Sequence, residues 1–537
     1  MCGIWSYINL LKKNILNYNE LFNNFMNLKN RGPDMSSFQI INNIIIGFHR
    51  LAILELSFNG NQPFYINECN KNIIFICNGE IYNYLDLIEE FKLNIFNNSD
   101  CLTIPKLYLQ SKNINDFFNL FKNKIIGEYA FILYEFDNNN NLINLIIGRD
   151  QIGVRPLYIN NINFFSSDIC LSSEIKGLNY YNNDIKEFEP GTILNIKFNN
   201  NIIIKLETFN FKTVYNIIEI VNTEQYFLDK IKNAVINSVN RRLIADKPIA
   251  FLLSGGIDSS IIASIASSLG ADINTFCCGM EGGTDFKYAD DVAKCINSAH
   301  SEYVFTANEA LESIKNVIYT TETWDTTTIR ASVGQYLISK YISETTNFKV
   351  ILVGEGSDEI CSSYLFNYLA PNGIELHNAA IDYVKNIHIY DGRRADRCAS
   401  SWGIETRIPF LDPEFIAAYW ELPSEWRLPQ YKGIEKWYLR KAFECYLPNN
   451  VVWRKKEAFS DAISSIDNSW YKIIQNYVED YNNKEPTAEA AFYKDIFIDF
   501  FGEKRINILQ NYWQPKWTNK GNNYIDPSAR TLDIYNK

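Results

Sequence analysis

Through roughly residue 205 the apolar positions fall in short runs separated by turn residues. Ile40 to Phe48, Asn72 to Cys77, Ala130 to Phe136, Leu142 to Gly148 and Gly191 to Ile196 read as strands. Tyr18 to Lys29 and Leu102 to Gln110 have helical spacing, and Asn138 to Asn141 is expected to cap a hairpin. Strands in series with few helices predict stacked antiparallel sheets flanked by helices, an α+β domain. After Leu206 to Asn222 the pattern changes. Glu224 to Arg242 is a long amphipathic helix, followed by the apolar strand Ile249 to Leu253, a glycine turn, and a helix from about Ser259 to Ser268 closed by Gly270. Ile273 to Cys277 and Lys349 to Val353 are further short strands among helices. That alternation predicts an α/β domain with a mainly parallel sheet and ligands at the carboxyl ends of its strands. The division falls near residue 210, giving domains 1–210 and 211–537, and no repeat of fixed period is evident.

Composition narrows the partners. The 537 residues exceed one core, and 47% hydrophobic content rules out a disordered chain. Lys plus Arg number 51 against 62 Asp plus Glu, a net charge of -11, which argues against a broad grip on nucleic acid or an anionic membrane. Eleven cysteines without CxxC spacing suit reduced thiols, and four histidines form no HExxH. No apolar run approaches a membrane span, and the first residues lack a leader pattern. A cytosolic protein acting on small molecules is expected.

Cys2 follows Met1 directly, and cysteine is small enough to permit removal of that methionine. A thiol and a free α-amine would then share one residue, titrating near pH 8 and able to pass a proton between them. Nearby in sequence stand Arg31-Gly32-Pro33-Asp34, Arg50, Asn78-Gly79-Glu80 and Asp100. A guanidinium such as Arg50 can grip an α-carboxylate, and Glu80 and Asp100 can hold an α-ammonium. The Asn78 amide and the Gly79 N–H can donate to an oxyanion. Taken singly, Arg50 or Asp100 reads first as a surface ion-pair partner, Asn78-Gly79 as a hairpin turn and Glu80 as a solvated charge. Together with Cys2-Gly3-Ile4, RGPD, NGEIYN, Gly148-Arg149-Asp150 and Ser173-Glu174-Ile175-Lys176, they resemble the class II glutamine amidotransferase domain of the N-terminal nucleophile hydrolases. The resemblance implies glutamine hydrolysis through a thioester on Cys2. Arg50 would take the glutamine carboxylate, Glu80 and Asp100 its amine, and Asn78 with Gly79 the oxyanion. Gly127-Glu128-Tyr129-Ala130 departs from the pattern, where relatives carry Met-Phe between glycine and alanine.

In the second half, Ser254-Gly255-Gly256-Ile257-Asp258-Ser259-Ser260 lies between an apolar strand and a helix. Backbone N–H groups and a helix N-terminus converge there on a phosphate-sized spot. Asp258 can hold a magnesium ion on a polyphosphate, and Asp358 in Gly354-Glu355-Gly356-Ser357-Asp358-Glu359 can share it. The lysine of a GxxxxGK[ST] loop is absent, so γ-phosphoryl transfer is not the first expectation. Arg330 and Lys456 are cationic candidates, either of which alone reads as a solvated residue.

SGGxDS resembles the ATP pyrophosphatases. With the N-terminal domain, the chain is similar nearly end to end to the glutamine-hydrolysing asparagine synthetase family, through Thr327-Thr328-Ile329-Arg330, GEGSDE, Tyr390-Asp391, KEAFSD, Tyr512-Trp513-Gln514-Pro515 and DPSARTL at 526–532. The resemblance implies that ATP with Mg2+ activates the β-carboxylate of aspartate and that ammonia then displaces AMP. Arg330 and Lys456 would neutralise the triphosphate, Thr327 and Thr328 bind phosphate oxygens, and Glu355 accept a proton from ammonia. Asp391 would hold the aspartate ammonium. Ser254, Gly255, Gly256 and Ser259 would cradle phosphates, with the backbone at Leu252, Cys278 and Gly354 bordering the nucleotide. Ammonia released into water becomes mostly ammonium, which has no lone pair to attack with, so a sheltered passage between domains is implied; a homodimer is a family-level expectation. Val353 replaces a serine common before GEGSDE, and Cys361-Ser362-Ser363 stands where relatives have glycines. Two other readings remain at this point: a related synthetase acting on another carboxylate, such as a β-lactam-forming relative, and a glutamine or nucleotide sensor without turnover.

Overall fold

The computed structural model describes residues 1–11, 17–95, 97–179, 181, 184–483, 486–508, 513–518 and 526–532; Tyr512 lies outside them. It divides into two compact units. The first is Met1–Thr213 with Ala245–Lys247 and Ser400–Ile404, and the second is the remainder.

Among the described residues, twelve strands build the first unit. They are β1 (Gly3–Asn9), β2 (Met35–Ile41), β3 (Ile44–Arg50), β4 (Phe64–Glu68), β5 (Lys71–Ile81), β6 (Gly127–Phe136), β7 (Leu142–Arg149), β8 (Tyr158–Asn160), β9 (Asp168–Ser172), β10 (Ile185–Glu187), β11 (Thr192–Asn199) and β12 (Ile202–Asn210). They form two antiparallel six-stranded sheets, in the orders β10-β8-β9-β1-β3-β2 and β12-β11-β7-β6-β5-β4. Alternate residues on each sheet point to one face: Ile4 and Ile8, Ile44, Ile46 and Phe48 from the first meet Ile74 and Ile76, Ile132 and Tyr134, Leu145 and Ile147 from the second in one buried cluster. Each such side chain contributes about 1.5–3 kcal/mol on burial, so the period of two sets the sandwich. The outer faces take helices. Phe25 of helix Tyr18–Met26 stacks on His49, and Phe121 of helix Ile114–Asn123 stacks on Phe131.

The expected strand Ile40 to Phe48 is two strands. Asn42 takes a left-handed φ of 54° and turns β2 into β3, a conformation asparagine tolerates better than most residues. The Asn138 to Asn141 run does cap the β6–β7 hairpin, with Asp137 accepting from the Asn139 and Asn141 amides at 2.8 Å. Tyr129, at the departure from the family pattern, fills the second sheet's outer face beside Phe121.

The second unit holds a five-stranded sheet of β13 (Ile249–Leu252), β14 (Asn274–Gly279), β15 (Ala299–Val304), β16 (Val350–Leu352) and β17 (Glu405–Arg407), all pairs parallel, in the order β15-β14-β13-β16-β17. The chain steps outward from β13 to β15, then returns to lay β16 on the other side of β13. Strand order therefore reverses at β13, and in parallel sheets ligands bind beyond the carboxyl ends at such a point. No helix among the described residues is long and apolar enough to cross a membrane.

Candidate functional site

In the first unit the candidate residues lie at strand ends. Cys2, half-buried, precedes β1; its carbonyl accepts from Arg31 Nε at 2.9 Å, and Arg31 is held by Glu174 at 2.6 Å. Met1 is buried, with its sulfur against Arg155. Asn78 is wholly buried on β5, yet neither its Oδ1 nor its Nδ2 has a hydrogen-bond partner. A buried amide without partners carries a desolvation cost of about 1–3 kcal/mol, which a bound ligand would relieve. Beside it, a Cβ on Gly79 would sit 2.2 Å from the Glu128 carbonyl, so only glycine fits against β6. Glu80 and Asp100 are buried together: Asp100 accepts from the Ile81 amide at 2.6 Å, and the Tyr84 hydroxyl is pushed up by burial and then by Asp100 and Glu80.

Arg50 closes β3 and is buried, but the structure shows its terminal nitrogens donating to its own loop. Nη1 reaches the Ser57 carbonyl at 2.8 Å and Asn61 Oδ1 at 2.6 Å, and Nη2 the Glu55 carbonyl. Burial lowers its pKa, against the pull of Cys2, Asp34 and Glu55.

In the second unit a cavity opens at the carboxyl ends of β13 and β16. Leu252, Ser254, Gly256, Asp258 and Ser259 line it from one loop, and Gly354, Glu355 and Asp358 from the other. The loops touch: a Cβ on Gly354 would lie 2.9 Å from the Ser259 amide. Serine hydroxyls shape the turn, Ser259 Oγ accepting from Ser254 N at 3.2 Å and Ser254 Oγ from Gly256 N at 3.3 Å. Gly255 does not line the cavity; at φ 67° it makes the turn, its Cα packed against Tyr288 and Ala289.

Cys278, Thr327, Thr328, Asp391 and Lys456 complete the predicted lining. Thr328 spends its hydroxyl on the capping carboxylate of Asp325 at 2.8 Å, whereas the Thr327 hydroxyl is buried without a partner. Burial raises the Glu355 carboxyl above its usual range, against the pull of Arg394, which makes it a stronger base.

Arg330 is not brought into this lining. Its Nε and Nη2 grip Glu489 at 2.9 and 2.5 Å, and its Nη1 and Nη2 grip Asp526 at 2.9 and 2.8 Å. Four of its five N–H groups are spent on two carboxylates, which corrects the expectation that it faces a triphosphate.

Sequence reading also missed Lys436. Its ammonium, fully buried, lies 2.6 Å from Asp258 and 2.5 Å from Asp358, while Lys456 holds the other Asp358 oxygen at 2.6 Å. Burial raises the Asp358 carboxyl, but Lys436 and Lys456 outweigh it and hold the group far below the usual range. The surrounding Ile434-Glu435-Lys436-Trp437 carries no motif; the one local mark is a φ of 58° at a non-glycine residue, visible only in the backbone. Two carboxylates close enough to share one cation, beside a phosphate nest, fit magnesium carried on a polyphosphate, which takes one or two protein carboxylates and fills its sphere with phosphate and water. No cluster of three or more potential ligands occurs among the described residues. At the other departures, Ser362 adopts the left-handed φ of 54° and Ser363 Oγ donates to Asp358.

An αββα sandwich with a cysteine at position 2, joined to a parallel-sheet unit with an SGGxDS nest, defines an amidotransferase fused to an ATP pyrophosphatase-type synthetase. The glutamine amidotransferase domain model matches residues 1–229, and the asparagine synthase model matches 230–382 and 371–521. The chain is 36% identical to asparagine synthetase [glutamine-hydrolyzing] of Mus musculus over 583 residues, covering 100% of this chain and 99% of that one. It is 35% identical to a probable asparagine synthetase [glutamine-hydrolyzing] of Acanthamoeba polyphaga mimivirus, covering 99% and 100%. The chain belongs to the glutamine-hydrolysing asparagine synthetase family.

Proposed function

We propose that this chain makes asparagine from aspartate, using ATP and the amide nitrogen of glutamine. Once Met1 is removed, the Cys2 thiol passes its proton to its own α-amine and attacks the glutamine carboxamide. Asn78 Nδ2 and the Gly79 N–H hold the oxyanion, ammonia leaves with the proton, and water cleaves the thioester to glutamate. Glu80 and Asp100 take the substrate ammonium, and Arg50 takes the carboxylate by exchanging loop carbonyls for it.

In the second unit the nest from Ser254 to Ser259, the Thr327 hydroxyl and Lys456 cradle the triphosphate, with the backbone at Leu252, Cys278 and Gly354 along the nucleotide. The β-carboxylate of aspartate, oriented through Asp391, attacks the α-phosphorus and pyrophosphate leaves. Ammonia then displaces AMP while Glu355 accepts its proton, and it has to arrive before water protonates it. Magnesium, held by Asp258 and Asp358 with phosphate oxygens, would neutralise phosphate charge.

The meeting of Asp258 and Asp358 on the Lys436 ammonium beside the nest carries this reading. Full-length likeness to asparagine synthetases favours aspartate over another carboxylate and turnover over sensing. The test incubates the chain with Mg-ATP, aspartate and glutamine and follows pyrophosphate and asparagine. Both products are expected. Pyrophosphate without asparagine would point to another acceptor, and neither product to a sensor.

A further inference from the structure

The segment Arg454–Ala458 carries Lys456 into the cavity but has no regular secondary structure, so no backbone ladder fixes it. Side chains do that. Glu457 is central: Thr284 Oγ1 donates to its Oε2 at 2.7 Å, and Arg530 clasps its Oε1 through Nη2 at 2.5 Å and Nε at 3.1 Å. Arg530 also donates to the Ser465 carbonyl at 2.8 Å and the Ser464 carbonyl at 3.2 Å, just past the same loop. Two residues earlier, Ser528 Oγ donates to Asp461 Oδ1 at 2.7 Å and the Ala529 amide to its Oδ2 at 3.1 Å. Asp526 holds Arg330 near the start of helix Thr326–Thr345, which carries Thr327, and accepts from Gln475 at 2.7 Å. The bonds to Glu457, Asp461 and Arg330 run to lining residues or to residues next to them in sequence, and no residue of 526–532 lines the cavity itself.

We infer that residues 526–532 form an ionic strap that sets the position of the Lys456 loop over the cavity, with Arg530 acting through Glu457 as its principal positioning residue. The inference rests on the reading of this cavity as the ATP site. Glu457 itself lines the cavity one residue from Lys456, so a shift at the clasp moves the ammonium that faces the phosphates. Arg530 makes no contact with the reacting atoms in this scheme. Its loss changes how well ATP is held and leaves the chemistry at saturation nearly intact.

The test is steady-state kinetics on the full chain with Arg530→Ala and Arg530→Lys. In the wild type, Mg-ATP-dependent pyrophosphate release in the presence of aspartate and ammonia first checks the underlying reading; its absence rejects that reading rather than the strap. Arg530→Ala is expected to raise the KM for Mg-ATP roughly tenfold, within the range of coupled contacts, with kcat within about twofold. Arg530→Lys should restore part of the loss, and glutamine hydrolysis measured without ATP should keep its wild-type KM. An unchanged Mg-ATP KM, or a parallel fall of both activities in a chain that still melts cooperatively, overturns the inference. If Arg530→Ala does not fold, Ser528→Ala decides: a raised Mg-ATP KM supports the strap, and an unchanged one rejects it.

Discussion

The Lys436 ammonium sits 2.6 Å from Asp258, although 178 residues of chain separate them. The lysine arrives from the start of helix Trp437–Ala442, and the aspartate from the first turn after β13. Removing the cation leaves Asp258 and Asp358 facing each other in a buried site. Lys436→Met should abolish pyrophosphate release while glutamine hydrolysis continues. It should also cost about 3–5 kcal/mol in the unfolding of the synthetase unit, the usual penalty for orphaning a buried charge. A thermal melt indistinguishable from wild type would contradict this.

Cys2→Ala is expected to end glutamine-dependent synthesis and leave synthesis from added ammonia. Asn78→Ala should lower glutamine-dependent kcat by about 10²–10³-fold, the range for one oxyanion donor, again sparing the ammonia reaction. Loss of both reactions in either variant would refute two separable sites. Mass spectrometry of active protein should show Met1 absent.

Thr327 and Thr328 are adjacent but differently engaged. Thr327→Ala removes an unpartnered hydroxyl and should raise the KM for Mg-ATP with little change in stability. Thr328→Ala removes the hydroxyl bond to Asp325 while the backbone cap to the same carboxylate stays, and should cost about 1 kcal/mol. Equal effects of the two on ATP and on melting would argue against this division.

Burial pushes the Asp285 carboxyl up to about 6, against the pull of Arg454 at 2.9 Å. Because the folded state holds this proton more tightly than the unfolded chain, its stabilising contribution is full below about pH 4 and is lost as pH rises through about 6. Asp285→Asn cannot titrate. The urea midpoint of the variant relative to wild type should therefore climb between pH 4 and pH 7, and a difference flat with pH would exclude this role.

Much of the molecule is readable from its residues, for reasons that differ by segment. Helix Glu224–Arg242 has the bounds its periodicity predicts, because a long amphipathic run capped by Thr223 admits few alternatives. Strand β1 carries no alternation that would mark it in the sequence, because all seven of its residues are buried. The nest and the two acidic loops were legible as contiguous motifs. Arg330 and Lys456 looked alike, lone cations beside a motif, and only three-dimensional neighbours separate them. Glu489 and Asp526 absorb the arginine, whereas Lys456 meets Asp358. Lys436 had no signal at all, since its partners lie 178 and 78 residues away.

Strand β16 pairs with β13 on the side away from β14 and β15, and is translated about a hundred residues after it. A nascent chain that has emerged only as far as Thr346 already contains strands β1 to β12, the nest and β13, but neither the Ser400–Ile404 segment of the first unit nor the Gly354–Asp358 loop. The residues assigned to glutamine hydrolysis are therefore all translated before the loop that carries Glu355 and Asp358, so the nitrogen donor's half of the chain leaves the ribosome ahead of its consumer.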